Sequence, residues 1–165
     1  MKRHTLKWSS RHAFFTLLLV ILPLPMLATL GDNASSVLSD QARMKGTLHS
    51  TDNRTYVVHE ITTSIGCKVR EYVTPGGAVF GIAWEGQLAP NLQQLLGPYY
   101  QQAVEARQAS VQQQSSQGAP RARRAPVAIE TPGLVLYQGG HIHSFHGVAY
   151  IPQLIPQGVQ ASEIH

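Results

Sequence analysis

Cysteine is nearly absent: Cys67 is the one example in 165 residues, which excludes an internal disulfide framework and any multi-cysteine metal site. Acidic residues are missing from the first 31 positions, whereas Lys2, Arg3, Lys7 and Arg11 all lie there. Charged residues make up only 13% of the chain, and with those four set aside nine basic residues face nine acidic ones from position 31 onward. The net charge of +4 therefore belongs to the leader. The body has no surplus positive field to hold phosphate, so no nucleic-acid partner is expected. Also missing are a Gly-x-Ser-x-Gly elbow, a phosphate loop, a dinucleotide fingerprint, a His-Glu-x-x-His motif and any internal repeat. These absences weigh against an enzyme, and neither a catalytic residue nor a cofactor is expected.

What the chain does have begins with a leader. The basic stretch runs into an apolar segment from Ala13 to Leu22, after which Pro23 and Pro25 break any helix. That order of basic, apolar and extended segments predicts a signal peptide over residues 1–30, cut near 28–30, and a periplasmic or secreted protein of the bacterial envelope. The alternative is an uncleaved anchor. Residues 13–30 are at the lower edge of the length needed to span a bilayer, about 17–25 residues, and the membrane is expected as a partner only in that case. No cysteine near the cut is available for acylation.

Residues 31–53 are polar and aperiodic and read as a flexible tether, with one short helical turn around 37–44. From Arg54 the pattern changes. Thr55-Tyr56-Val57-Val58-His59-Glu60-Ile61-Thr62 is rich in β-branched and aromatic residues, and Cys67, Val69 and Val73 alternate with Lys68 and Arg70. Thr74-Pro75-Gly76-Gly77 is the strongest hairpin signal, because its glycines permit the positive φ of a tight turn. Strict alternation then puts Phe80, Ile82 and Trp84 on one strand face, with Trp84 as a core anchor.

One amphipathic stripe follows. Leu92, Leu95, Leu96, Tyr99, Ala103 and Val104 keep a 3.6-residue period through Gly97-Pro98, which predicts a kinked or split helix over residues 90–107. Residues 108–125, with Gln112-Gln113-Gln114-Ser115-Ser116 and Arg121-Ala122-Arg123-Arg124, offer little to a core and read as a disordered insertion. Strand signals resume in Val127-Ala128-Ile129 and Leu134-Val135-Leu136-Tyr137, then a Gly139-Gly140 turn, then residues 141–146 and 148–151. Short strands joined by glycine turns, with one helical segment, predict an α+β domain over 54–160: a small antiparallel sheet with the helix on one face. Residues 161–165 read as a tail.

Two constellations could carry chemistry. His141 and His143 would share a face on a continuous strand and could reach one metal ion, with His146 joining only through a bend at Gly147. A zinc site needs three protein ligands and no carboxylate is near in sequence, so the competing reading is two half-exposed histidines beside a glycine turn. Cys67 and His59 could pair as nucleophile and base, but Cys67 alternates in phase with Val69 and Val73 as a buried small hydrophobe would. Glu60, Glu71 and Glu85 are candidates to converge across the sheet.

The run Val69-Arg70-Glu71-Tyr72-Val73-x-Pro75-x-Gly77-x-Val79-Phe80, continued by Ala83-Trp84-x-Gly86 and Pro90-x-Leu92-x-x-Leu95-Leu96-Gly97-x-Tyr99, is distinctive. So are Gly139-Gly140-His141, Phe145-x-Gly147-x-Ala149-Tyr150 and Pro152. Together they resemble short exported proteobacterial proteins grouped as a domain of unknown function. The resemblance implies export, a β-rich body with a variable middle, and another exported or envelope protein as partner; it carries no activity and no site residue. The resulting expectation is a non-catalytic binding or accessory module of the envelope. The alternative is a small hydrolase or metal-binding protein built on His141 and His143.

Overall fold

The computed structural model describes residues 30–116 and 126–165, so the leader and the Arg121-Arg124 stretch lie outside the described residues. The elements in chain order are α1 (Ser35–Met44), β1 (Thr47–Asp52), β2 (Val57–Thr62), β3 (Lys68–Val73), β4 (Val79–Gly86), α2 (Leu92–Leu96), α3 (Tyr99–Ser116), β5 (Val127–Glu130), β6 (Val135–His141) and β7 (Ser144–Tyr150). Two 3-10 turns, Pro152–Leu154 and Ala161–Glu163, follow. All seven strands form one antiparallel sheet in the order β1-β2-β3-β4-β7-β6-β5, with helices packed on one face. The fold is α+β.

Hairpin chemistry sets the register. Between β3 and β4, Gly77 takes φ 86° and donates to the Thr74 carbonyl at 2.9 Å, closing the expected turn. Pairing then places Ile61 opposite Val69 and Val69 opposite Trp84, an apolar row facing the helices. Leu95, Leu96 and Ala103 cover that row from α2 and α3. Asn91 caps α2 through its Oδ1, which accepts the Gln94 N–H at 3.2 Å. Gly97 and Pro98 split the helical segment as the sequence predicts, and the apolar stripe crosses the break.

Four expectations need correction. Residues 31–53 are not a tether: they form α1 and β1, with Val37 and Asp40 buried. Their polarity reflects geometry, since β1 is an exposed edge strand and α1 turns only a narrow stripe inward. The segment from residue 108 continues α3 as exposed helix to Ser116 rather than starting a disordered insertion. Gly139 and Gly140 sit inside β6, and the reversal falls at Ile142 and His143. Residues 161–165 are no loose tail, because Ile164 is buried and His165 is hydrogen-bonded to Tyr72.

Phe80 is the fifth correction. Val73 pairs with Val79 and Tyr72 with Gly81, so Phe80 is an extra residue in β4, a β-bulge. The bulge turns Phe80 away from Ile82 and Trp84 and onto the opposite face, where it packs with Tyr56, Tyr72, Ala83 and Ile164. Phe80 meets Tyr56 edge-on, with ring centroids 5.8 Å apart and planes at 84°. The segment after β7 wraps this second face as a strap: Leu154, Ile155, Val159 and Ile164 cover the aromatic cluster. Gly81 makes the close approach feasible, since a Cβ there would sit 3.0 Å from Ile164 Cδ1.

Candidate functional site

The strap covers only part of its face. Beyond its end a cleft of about 520 Å³ opens, lined by Val127 and Ala128 of β5, Tyr137 of β6, Val148 of β7, and Ile164 and His165 of the strap. Val148 stands opposite Ala83 on one side and Tyr137 on the other, so the cleft floor is the outer face of β4, β7 and β6. Tyr137 is exposed, and its hydroxyl donates to Glu130 Oε1 at 2.5 Å. That hydrogen bond to a carboxylate, more than its slight desolvation, pushes the phenol up to about 12. The ring stays neutral and is held upright as one wall.

Arg70 builds the other wall. Its Nε donates to Glu60 Oε2 at 2.9 Å, its Nη2 to Glu85 Oε1 at 2.8 Å, and its Nη1 to the His165 main-chain oxygen at 2.9 Å. The register explains this convergence, because Glu60 pairs with Arg70 across β2–β3, while Glu85 sits two positions along β4 from Ala83, the partner of Arg70, and so shares its face. Desolvation disfavours the guanidinium charge, and the two carboxylates more than restore it, so its pKa rises. Tyr72 completes the attachment: its hydroxyl donates to the His165 oxygen at 2.7 Å and accepts the His165 N–H at 3.0 Å. The cleft thus has an apolar floor and, at its rim, a cation engaged by three acceptors.

The histidines do not assemble as a strand would place them. His141 closes the β6–β7 ladder opposite Ser144, while His143 occupies the reversal with φ 66°, so the alternation that would align them is broken. His146 sits back on β7 opposite Gly139 and Glu85, at the cleft margin. Among the described residues no group of three or more His, Cys, Asp or Glu is placed to hold a metal ion. Cys67 and His59 also stay apart. His59 is opposite Glu71 and bonds Ser50 Oγ at 2.7 Å, whereas the Cys67 carbonyl accepts from Thr63. Those positions are separated along the strand by about 14 Å at about 3.4 Å per residue. Burial pushes the Cys67 thiol up and the His59 imidazole down, the wrong directions for a thiolate and imidazolium pair.

Glu71 parts company with Glu60 and Glu85. It shares a strand face with Val69 and Val73 and is buried on the helix side against Asp40 of α1. Among the described residues, neither oxygen of Glu71 nor Oδ2 of Asp40 has a donor outside the pair, and Asp40 Oδ1 accepts the Gln94 side-chain amide. Burial first, then the Asp40 charge, pushes Glu71 up to about 9. Burial raises Asp40 to about 6, moderated by hydrogen bonds from Gln94 and Glu71 and by the charge of Arg43. A proton kept on Glu71 and aimed at Asp40 is the arrangement that relieves both carboxyls.

Sequence reading missed Arg70, Tyr137 and the strap as parts of one site. The available signal was the register itself: an arginine flanked in space by glutamates on both neighbouring strands follows once β2, β3 and β4 are aligned.

These features define a small α+β protein with a seven-stranded sheet, helices on one face and a strap with an open cleft on the other. The chain belongs to the family described as Protein of unknown function (DUF2844), which it matches over residues 26–164. No curated protein matches it, and no solved structure does. The matched span begins well before residue 54, in keeping with the ordered α1 and β1.

Proposed function

We propose that the protein is exported to the bacterial envelope and that its folded part is a non-catalytic binding module. Its occupant is an apolar segment of another exported protein, taken into the cleft beside β5 and β6. The observation that carries this reading is the cleft itself: about 520 Å³ of mostly apolar surface between the strap and an edge strand. β5 has a strand neighbour on one side only among the described residues. An extended segment could bond to that open edge while its alternate side chains enter the cleft.

Export rests on the basic and apolar pattern of the leader. Leu30 refines where the cut falls. It is buried in the helix-side core and its N–H donates to the Leu95 carbonyl at 3.0 Å, so a mature chain that keeps this packing retains Leu30. Mass spectrometry of the N-terminus is expected to find a first residue no later than Leu30.

A photo-crosslinking amino acid at Tyr137, introduced in cells, tests the binding site. A discrete protein adduct is expected from position 137, lost when Val148→Glu places a charge on the cleft floor, and absent from exposed Leu38 on α1. No adduct at 137, or the same adducts at both positions, would remove the cleft as the binding site.

A further inference from the structure

A second surface, at one end of the sheet, has no part in that reading. Ile65, Leu88 and Ile142 are 56%, 55% and 54% exposed, three of the six exposed large hydrophobic residues among those described. Each sits on a different connection: Ile65 between β2 and β3, Leu88 just after β4, and Ile142 in the reversal between β6 and β7. Antiparallel pairing brings all three to the same end. Thr62 pairs with Lys68, Lys68 with Glu85, and Gly86 with Phe145, so the three connections leave the sheet side by side. Their neighbours Gly66, Gln87 and His143 line one common cleft of about 500 Å³, which shows directly that the turns converge.

Single exposed aliphatic side chains are ordinary on a soluble protein, but three at adjoining tips are not. They are separate points beyond the ends of the strands, not a flat continuous patch. A rigid protein partner needs a complementary patch of roughly 1,000 Å² or more in total, whereas a lipid interface receives separate apolar points with equal ease.

Among the described residues, the cationic charge around the tips comes from lysine, with imidazoles beside it. Lys68, His143 and His146 line the cleft between the turns, and His141 stands at the end of β6. Lys45 ends α1 immediately before β1, whose first residue, Thr47, pairs with Thr62 at this same end. The carboxylate in the cleft, Glu85, is taken by Arg70 at 2.8 Å. The Lys68 ammonium has no ion-pair partner among the described residues, although Glu85 is its cross-strand neighbour.

We propose that this end of the sheet is a membrane-surface contact, with Ile65, Leu88 and Ile142 entering the interface of an anionic bilayer and Lys68 facing its headgroups. Such contact is peripheral and reversible. No helix among the described residues is long and apolar enough to cross a membrane, and the contact is made by turns alone. It is independent of the leader, because Leu30 and Gly31 are bonded to Leu95 and Val79, and Val79 opens β4 at the opposite end of the sheet.

The test uses the chain from Leu30 onward, which contains every residue of both buried clusters, with vesicles of phosphatidylglycerol and phosphatidylcholine or of phosphatidylcholine alone. Co-sedimentation is expected with the anionic vesicles and to weaken with added salt. Each of Ile65→Asp, Leu88→Asp and Ile142→Asp is expected to reduce binding about tenfold or more, the loss for one buried aliphatic side chain. Lys68→Gln is expected to reduce it about fivefold, the weight of one basic residue near a charged surface. The thermal unfolding of each variant should match that of the parent, since all four sites lie at strand ends or in turns. Absence of binding to anionic vesicles overturns the proposal, as does binding that survives at least two of the three aspartate substitutions. A parent chain that elutes as a dimer, with Ile142→Asp monomeric, would also overturn it and assign the tips to a contact between two copies.

Discussion

The helix-covered and strap-covered faces of the same sheet treat their polar groups in opposite ways. On the helix side Ser36 Oγ and Trp84 Nε1 are buried without a hydrogen-bond partner among the described residues, and the Glu71 carboxyl has only Asp40 to share a proton with. On the strap side Arg70 satisfies three partners, Tyr72 satisfies two with its hydroxyl, and Tyr56 donates to Glu163 at 3.2 Å. The helix side is closed over by α1, α2 and α3, so a polar group there meets only what folding brings, and the carboxyl pair is relieved by holding a proton. On the strap side Arg70 and Tyr72 bind backbone atoms of the segment that covers them. One face is closed by helices; the other is closed by the segment after β7.

The largest effect expected from disturbing this contrast comes from Trp84→Ala. Trp84 is 2% exposed, and its ring lies so close to Gly147 that a Cβ there would come within 2.2 Å of Cζ2. Truncation should cost about 3–5 kcal/mol in urea denaturation, enough to leave a domain of this size poorly folded. Parent-like stability would show that the helix side does not dominate.

Next in size is the carboxyl pair. Glu71 and Asp40 bind protons more tightly folded than unfolded, so the folded chain carries more protons between their ordinary values and their raised ones. Stability is therefore full below about pH 4 and declines as pH rises through about 6 and toward about 9. Glu71→Gln should flatten that slope and gain about 1–3 kcal/mol near the alkaline end, the range for a buried polar group left unpaired. Denaturation midpoints across this range would check it, and a parent whose stability rises with pH would contradict the shared proton.

Tyr72→Phe probes the strap side. Losing the hydroxyl should cost about 1 kcal/mol globally, and should selectively raise hydrogen exchange at the His165 amide, which it holds. The smallest effect is expected from deleting residues 110–122. Val111 is 47% exposed and this end of α3 lies outside both buried clusters, so stability should move by no more than about 0.5 kcal/mol.

Much of the sheet was legible because local chemistry and burial agree there. The glycines after Thr74, the alternation around Val69 and the stripe from Leu92 to Ala103 each point to what folds. What escaped was decided by contacts distant in sequence. Polar residues 31–53 look unstructured until Val37 and Asp40 are set against the sheet, and Asp40 meets Glu71 only when α1 docks on it. Ile164 looks like part of a tail until Gly81 offers it bare backbone. Of the cleft, the edge strand was readable and the rim was not, since Arg70 gains its partners from two other strands and the last residue. His141 and His143 do not share the face of one continuous strand, because the reversal falls three residues later than the double glycine suggested.

The extra residue in β4 has a consequence for how this chain can change. Because Phe80 is inserted rather than substituted into the pairing, Val79 and Ile82, three positions apart, both face the helices, which strict alternation would forbid. Any substitution at Phe80 keeps that spacing, and the damage stays on the strap side. Deleting Phe80 instead leaves Val79 opposite Val73 and Gly81 opposite Tyr72 in an unbroken ladder, so every other residue of β4 keeps its face and only the aromatic cluster loses a ring. The bulge is thus a device that adds one side chain to the strap face without moving any other, and a chain lacking the extra residue can keep the same pairing.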